Sequence, residues 1–212
     1  MPRVSAEHLE RRREQILEAA LRCFARKGFH ETSMQDVFTE SGLSAGAVYR
    51  YFTSKDEIIG ALLGRTMLPL RNRLAEIIRA DPPPVPAEVI RGMTTEVLAR
   101  SGPNGLLRLA PQAWALATVQ PEAAAPVLEA AAGVRALWRE YVLRIRDLGW
   151  IPADADADAL AKMLLGLMPG FILQHLLLGD VTPDDFARGI ELMLPVTPPG
   201  TAHNGPGSII GE

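Results

Sequence analysis

The sequence predicts an all-α protein, a three-helix amino-terminal head containing a helix-turn-helix joined to a larger helical body. Three observations lead there. No window of the 212 residues shows the alternation that marks a half-buried strand, whereas apolar residues recur at spacings of three and four throughout. Helix-start signals crowd between residues 32 and 57 around a single glycine turn. Beyond residue 81 the helical periodicity resumes in longer segments, enough chain for a core of its own.

Each element has its reason. The first helix is predicted over residues 8–27, with Leu9, Ile16, Ala20, Cys23 and Phe24 on one side and Arg11, Arg12, Arg13 and Arg26 toward solvent. Gly28 follows the last basic turn and suits the αL position that closes a helix. Thr32 with Gln35, and Ser54 with Glu57, match the capping-box pattern, and Ser44 follows the turn at Gly42. These signals place short helices over 33–41 and 44–51 and a long one over 54–79. The proline run from Asp81 to Pro86 lacks most backbone donors and breaks the chain. Helices follow over 87–100, 104–117, 121–148 (kinked at Pro126), 155–178 and 183–194. From Pro195 the chain is rich in Pro and Gly and is predicted to be disordered. The domain reading is a head over 1–53, a body over 54–194 and a tail over 195–212.

Charge and composition narrow the function. The net charge of −3 hides an asymmetry: residues 1–65 carry 10 basic and 9 acidic side chains, residues 66–212 carry 12 and 16. Half of the aromatic residues also fall in the head. The single Cys23 cannot form an intramolecular disulfide, which suits a reducing compartment. The amino terminus has no apolar signal region, and the apolar run 163–178 is short for a membrane span. A soluble, cytoplasmic protein is expected. No HExxH, GxSxG, Walker A or paired CxxC motif is present, and His8, His30, His175 and His203 lack metal-ligand spacing. Neither enzyme activity, nor a metal, nor a cofactor is expected.

The chemistry sits in the second short helix. Advancing about 100° per residue, Val48 and Phe52 lie together and point into the head, Gly46 and Arg50 lie opposite, Ala47 and Tyr49 flank them, and Tyr51 is nearer the core edge. A face of Gly and Ala lets a partner approach the backbone closely. An arginine on that face can donate two parallel hydrogen bonds to guanine or bind phosphate. Phenolic hydroxyls and a helix amino terminus add uncharged phosphate donors.

The segment TSMQDVFTESGLSAGAVYRYFTSKDEI, with the Gly28-Phe29 pair before it, resembles the signature of the TetR (tetracycline repressor) family of bacterial transcription regulators, over roughly residues 10–59. The resemblance implies that Thr32, Ser33, Ser44, Ala45, Gly46, Ala47, Tyr49, Arg50, Tyr51 and Lys55 face operator DNA. Ala45 and Ala47 depart from the polar residues common there, so base readout falls to Arg50, Gly46 and contacts with thymine methyls. Arg3 and the Arg11–Arg13 cluster allow two readings, an arm that reaches DNA or a solvated helix start.

In the body, residues 163–179 are apolar nearly all round and need cover from another chain or from a central position in this one. The resemblance implies a two-fold dimer in which this helix, through Leu164, Leu167, Met168, Ile172 and Leu176, pairs with the last helix, through Ile190 and Met193. Trp114, Trp138, Tyr141, Phe171, Met93 and Met163, with Gln112, Gln174 and His175 as polar members, are candidates for a cavity that takes a small hydrophobic or amphipathic effector. The expected function is a ligand-responsive, one-component regulator, a repressor of a palindromic operator with double-stranded DNA as partner. The rival is a helical small-molecule binding protein without sequence-specific DNA function, and salt-dependent, sequence-selective DNA binding separates the two.

Overall fold

The computed structural model describes residues 6–100, 106–119, 125–194 and 196. Among the described residues the regular elements are all helices: α1 (Ala6–Glu31), α2 (Met34–Ser41), α3 (Ala45–Tyr49), α4 (Lys55–Arg79), α5 (Pro86–Ala99), α6 (Leu106–Val119), α7 (Ala125–Asp147), α8 (Ala157–Leu177) and α9 (Pro183–Met193). The predicted all-α order of elements is the one observed. The expected disorder from Pro195 onward, and Arg3, lie outside the described residues apart from Val196.

Local chemistry explains most ends, with three corrections. The capping box of α2 is built on Ser33 and not on Thr32: the Ser33 hydroxyl accepts from the Asp36 amide at 3.2 Å, and the Asp36 carboxylate accepts from the Ser33 amide at 2.9 Å. Gly28 interrupts α1 where a stop was expected, but with φ 78° and ψ 173°, a region open essentially to glycine alone and distinct from αL, and one more helical turn follows to Glu31. The kink expected at Pro126 does not appear within the described helix, of which that proline is the second residue; residues 121–124 of the predicted helix lie outside the described residues.

Two large cores form. The amino-terminal one joins Ile16, Leu17, Ala20 and Phe24 of α1 to Val37 and Phe38 of α2, to Val48 and Phe52, and to Ile58, Ile59 and Leu62 of α4. It also takes Leu109 and Ala113 from α6, so the body reaches into the head. The second core packs Leu74 and Ile78 of α4 with Val89, Ile90 and Met93 of α5, Trp138 and Tyr141 of α7, Leu164 of α8 and Ile190 of α9. Burial of each such large side chain stabilises the fold by roughly 1.5–3 kcal/mol. A smaller cluster gathers Val97, Leu107, Phe171 and Ile172. Because α4 has its first turns in one core and its last turns in the other, it is the element that joins them.

Helix α8 is 21 residues long, and by length and composition alone it could cross a membrane, so the sequence argument from length does not hold. Its contacts argue otherwise: Ala161, Leu164, Phe171 and Ile172 are buried against other helices of the chain. It remains apolar on its open side, with Met163, Leu173 and Leu177 exposed.

Candidate nucleic-acid interface

Helices α1 and α2 fix the platform on which α3 stands. Glu40 of α2 accepts from Arg22 Nε at 2.7 Å and from Arg26 Nη2 at 2.8 Å, while Lys27 Nζ donates to Asp36 at 2.6 Å. Hydrogen bonds from Lys27 and then from Ser33 hold the Asp36 carboxyl well below its ordinary range, and the two arginines lower Glu40 in the same way. Gln15 Nε2 donates to the Ser41 carbonyl at 2.8 Å, closing the far end of α2 onto α1. These pairs engage Arg22, Arg26 and Lys27 with two carboxylates within the head, so the basic count of the sequence overstates the charge left for an outside partner.

Helix α3 is short because its caps are close together. Ser44 Oγ accepts from the Ala47 amide at 3.3 Å, and the chain continues one further turn, with the amides of Tyr51 and Phe52 donating to the Val48 carbonyl at 2.9 and 3.1 Å. The faces separate as the helical spacing predicts. Val48 and Phe52 are buried, whereas Ser44, Ala45, Gly46, Tyr49 and Arg50 are exposed and Ala47 and Tyr51 are half-buried. Tyr49 is held edge-on against Phe38, ring centroids 5.3 Å apart. Among the described residues, apart from its two chain neighbours and the backbone of its own helix, nothing lies within 4 Å of a methyl built on Gly46. A helical glycine costs about 0.5–1 kcal/mol relative to alanine, and no internal contact here requires it.

Two residues expected to face DNA are turned inward. Thr32 is only 1% exposed, and its hydroxyl donates to the Gly28 carbonyl at 2.7 Å, where it supports the interruption in α1. Lys55 Nζ donates to the carbonyls of Phe29 at 2.7 Å, Thr32 at 2.9 Å and His30 at 3.4 Å. An ammonium group so engaged satisfies the end of α1 and is not free to meet a phosphate. Ser33 is exposed, yet its hydroxyl donates to Asp36 at 2.8 Å inside the capping box. Of the basic cluster, Arg11 pairs with Glu7 at 3.6 Å, Arg12 donates to Gln15 at 2.8 Å, and Arg13 pairs with Glu10 at 3.7 Å and lies over the Phe52 ring.

The candidates for an effector cavity do not converge. Met93, Trp138 and Tyr141 are packed into the body core, where the Tyr141 hydroxyl donates to the Pro84 carbonyl at 2.6 Å and burial pushes its pKa up. Trp114 and Phe171 belong to the smaller cluster, and Met163 and Gln174 are exposed. Gln112 does something else: its Oε1 accepts from the Phe29 amide at 2.9 Å, linking α6 to the interruption in α1. His175 stacks on Phe171 with centroids 6.0 Å apart, and its buried Nδ1 has no hydrogen-bond partner among the described residues. Two clefts among the described residues lie elsewhere, one of about 520 Å³ between Arg13, Tyr51, Asp56, Gly60 and Pro126, the other of about 360 Å³ between Arg135, Arg139, Asp158 and Lys162.

The residues expected at a subunit interface divide likewise. Leu164, Ile172 and Ile190 are buried within the chain's own cores, and Leu167, Met168 and Leu176 are half-buried. Met193 is exposed. So are Leu173, Leu177 and Leu178 at the end of α8 and Leu192 of α9, which the sequence reading did not name, the last of these 80% exposed. The periodicity of α9 carries that signal, since Ala187 and Ile190 point inward and Leu192 and Met193 do not.

Comparison with known proteins agrees with this geometry. Residues 16–62 match the family described as bacterial regulatory proteins, tetR family, and residues 86–192 match the BetI-type transcriptional repressor carboxy-terminal family. YfiR of Bacillus subtilis, an HTH-type transcriptional regulator, is 48% identical over 62 residues, 29% of this chain and 30% of that protein. The match therefore spans less than a third of that relative's length. TtgR of Pseudomonas putida, also an HTH-type transcriptional regulator, is 24% identical over 188 residues, 85% of this chain and 87% of its own. The structure of SmeT, the repressor of the Stenotrophomonas maltophilia multidrug efflux pump SmeDEF, covers 86% of each chain with a TM-score of 0.64 at 24% identity, a likeness of fold.

Proposed function

The chain belongs to the TetR family of bacterial regulatory proteins, a family of regulators and not of enzymes, and we propose that it is a ligand-responsive repressor that binds a palindromic operator as a homodimer. The observation that carries this reading is α3: a short capped helix, locked by Val48 and Phe52, that turns Ser44, Ala45, Gly46, Tyr49 and Arg50 outward. Ala47 and Tyr51 sit at its rim, and Ser33 at the start of α2. Such a unit places its exposed face in the major groove.

The dimer is supported by the uncovered apolar surface at the end of α8 and on α9, where Leu177, Leu178, Leu192 and Met193 are each more than 60% exposed. Two-fold pairing through this face would cover it and present two heads to two half-sites. The effector is a small hydrophobic or amphipathic molecule that enters the body near the Phe171 cluster, where the partnerless Nδ1 of His175 supports a hydrogen bond to it. Coupling runs through α4, which belongs to both cores, and through α6, whose Leu109, Gln112 and Ala113 touch the head. Typical coupling of ~1–3 kcal/mol lowers operator affinity ~5- to 150-fold.

The test is binding to a fluorescent fragment of the upstream intergenic DNA of its own gene, against scrambled competitor, at two salt concentrations. Competitor-resistant binding is expected. Weak binding that salt abolishes on every sequence refutes the reading, and an effector that leaves operator affinity unchanged refutes the coupling.

A further inference from the structure

The side chains that could read base edges are distributed unevenly over this head. In a helix-turn-helix the amino-terminal residues of the recognition helix contact base edges, and here those are Ser44, Ala45, Gly46 and Ala47. Ser44 Oγ accepts from the Ala47 amide as the cap of the helix, and the next three residues carry no polar side-chain atom. Of the neighbours expected to face DNA, Thr32 is committed to the Gly28 carbonyl, Ser33 to Asp36 and Lys55 to three carbonyls, while the exposed Tyr49 stands beyond the first turn. Arg50, the one long cation of this segment, sits at the carboxy-terminal cap, more than a helical turn from Ala45. What the first turn offers a groove floor is a bare Gly46 with open space in front of it, flanked about 100° to either side by the exposed methyl of Ala45 and the half-buried methyl of Ala47.

Of the four bases only thymine presents a methyl group in the major groove, and alanine is suited to contact it. We propose that this head selects its operator by packing thymine methyls against Ala45 and Ala47 over Gly46, with no hydrogen bond from the first turn of α3 to a base edge. This rests on the regulator reading above. It makes the half-site thymine-bearing at the positions under α3, and it makes Gly46 the residue that sets how near the helix comes to the bases.

The experiment removes the methyl and nothing else. Purified full-length protein selects duplexes from a randomised pool, and the selected site is resynthesised with deoxyuridine for single thymines. Uracil keeps every hydrogen-bonding group of thymine, so only methyl contact changes. Burial of one methyl is worth about fourfold in affinity, so replacing the symmetry-related pair in both half-sites is expected to cost about 15-fold. Uracil at thymines outside the half-sites leaves affinity unchanged. A second arm uses Gly46→Ala, which adds a methyl into open space: weaker operator binding with a melting temperature unchanged or raised is expected. The proposal is overturned if uracil within the half-sites has no effect, if the selected half-sites lack thymine, or if Gly46→Ala binds as tightly as the native chain. Selection that enriches no sequence at all overturns the regulator reading together with this one.

Discussion

Gly28→Ala tests the joint between head and body in a single methyl. The native φ of 78° with ψ 173° is a backbone state that alanine reaches only with strain of order 1–3 kcal/mol. The added Cβ would also lie 3.0 Å from Gln112 Oε1, the atom that accepts from the Phe29 amide. The glutamine can swing away, but only by giving up that bond, and a half-buried amide left unpaired costs about 1–3 kcal/mol. The two costs together give a loss of roughly 2–6 kcal/mol, where each kcal/mol lowers Tm by about 2–4 °C in a chain of this size.

The two contributions separate in a double-mutant cycle. Gln112→Ala alone removes the acceptor and is expected to cost about 1–3 kcal/mol. In the double variant the amide is already unpaired and nothing obstructs the new methyl, so the loss should fall short of the sum by about 1–3 kcal/mol. Urea unfolding at one fixed protein concentration reads all four corners, with operator affinity measured beside it. A Gly28→Ala chain within 0.5 kcal/mol of native, or strict additivity of the two changes, would refute the account of this joint (~0.5 kcal/mol being the ordinary scatter of neutral substitutions).

Four further outcomes are expected. Arg50→Ala should cost roughly 1–3 kcal/mol on the operator without moving the melting temperature, and retained affinity would remove Arg50 from the interface. Lys55→Met should lower stability, since three carbonyls at the end of α1 lose their donor; an unchanged Tm with only a flatter salt dependence of DNA binding would restore the phosphate role that its sequence position suggests. Asp36, Glu40, Asp156 and Asp185 all have lowered pKa values in the folded chain, so their contribution is full above the unfolded carboxylate range near 4 and is lost as pH falls through the folded values. Acid titration followed by circular dichroism should therefore show stability falling below about pH 4, and Asp36→Asn should make that fall shallower. Leu177→Asp with Leu192→Asp should give a folded monomer with much weaker operator binding, and a dimer surviving in sedimentation would place the interface elsewhere.

The head was legible in the sequence because its determinants are local. Val48 and Phe52 lie four residues apart on one face, Gly42 closes α2, and Ser54 caps α4 within a few residues of each start. Each such signal is read from a window shorter than two helical turns. The failures in the head have two origins. Lys55 looks like a cation at a helix start, but its three acceptors lie 23 to 26 residues upstream, brought there by the turn of chain after Gly28. Thr32 fails locally: its hydroxyl donates to the carbonyl of Gly28 four residues back, a bond that competes with an outward role.

In the body the limit is different. Helix α8 is apolar on nearly every side, so its periodicity cannot say which leucines meet α7 and which meet solvent or another subunit. That is why Leu164 and Ile172 were assigned to a seam between chains although they pack within one, and why Leu173, Leu177 and Leu178 were passed over. Helix α9 separates its faces more clearly, with charged residues on one side and Ala187 and Ile190 on the other, yet Ile190 was assigned to the same seam although it packs within the chain. Gln112 shows a third limit. A glutamine in an apolar helix suggests a ligand anchor, yet its acceptor oxygen is taken 83 residues away, by the Phe29 amide next to the glycine that interrupts α1. The polar residues of this body are therefore better explained by the joints they close than by the cavity that their neighbours suggest, and His175, whose buried Nδ1 closes none, is the exception on which the effector reading depends.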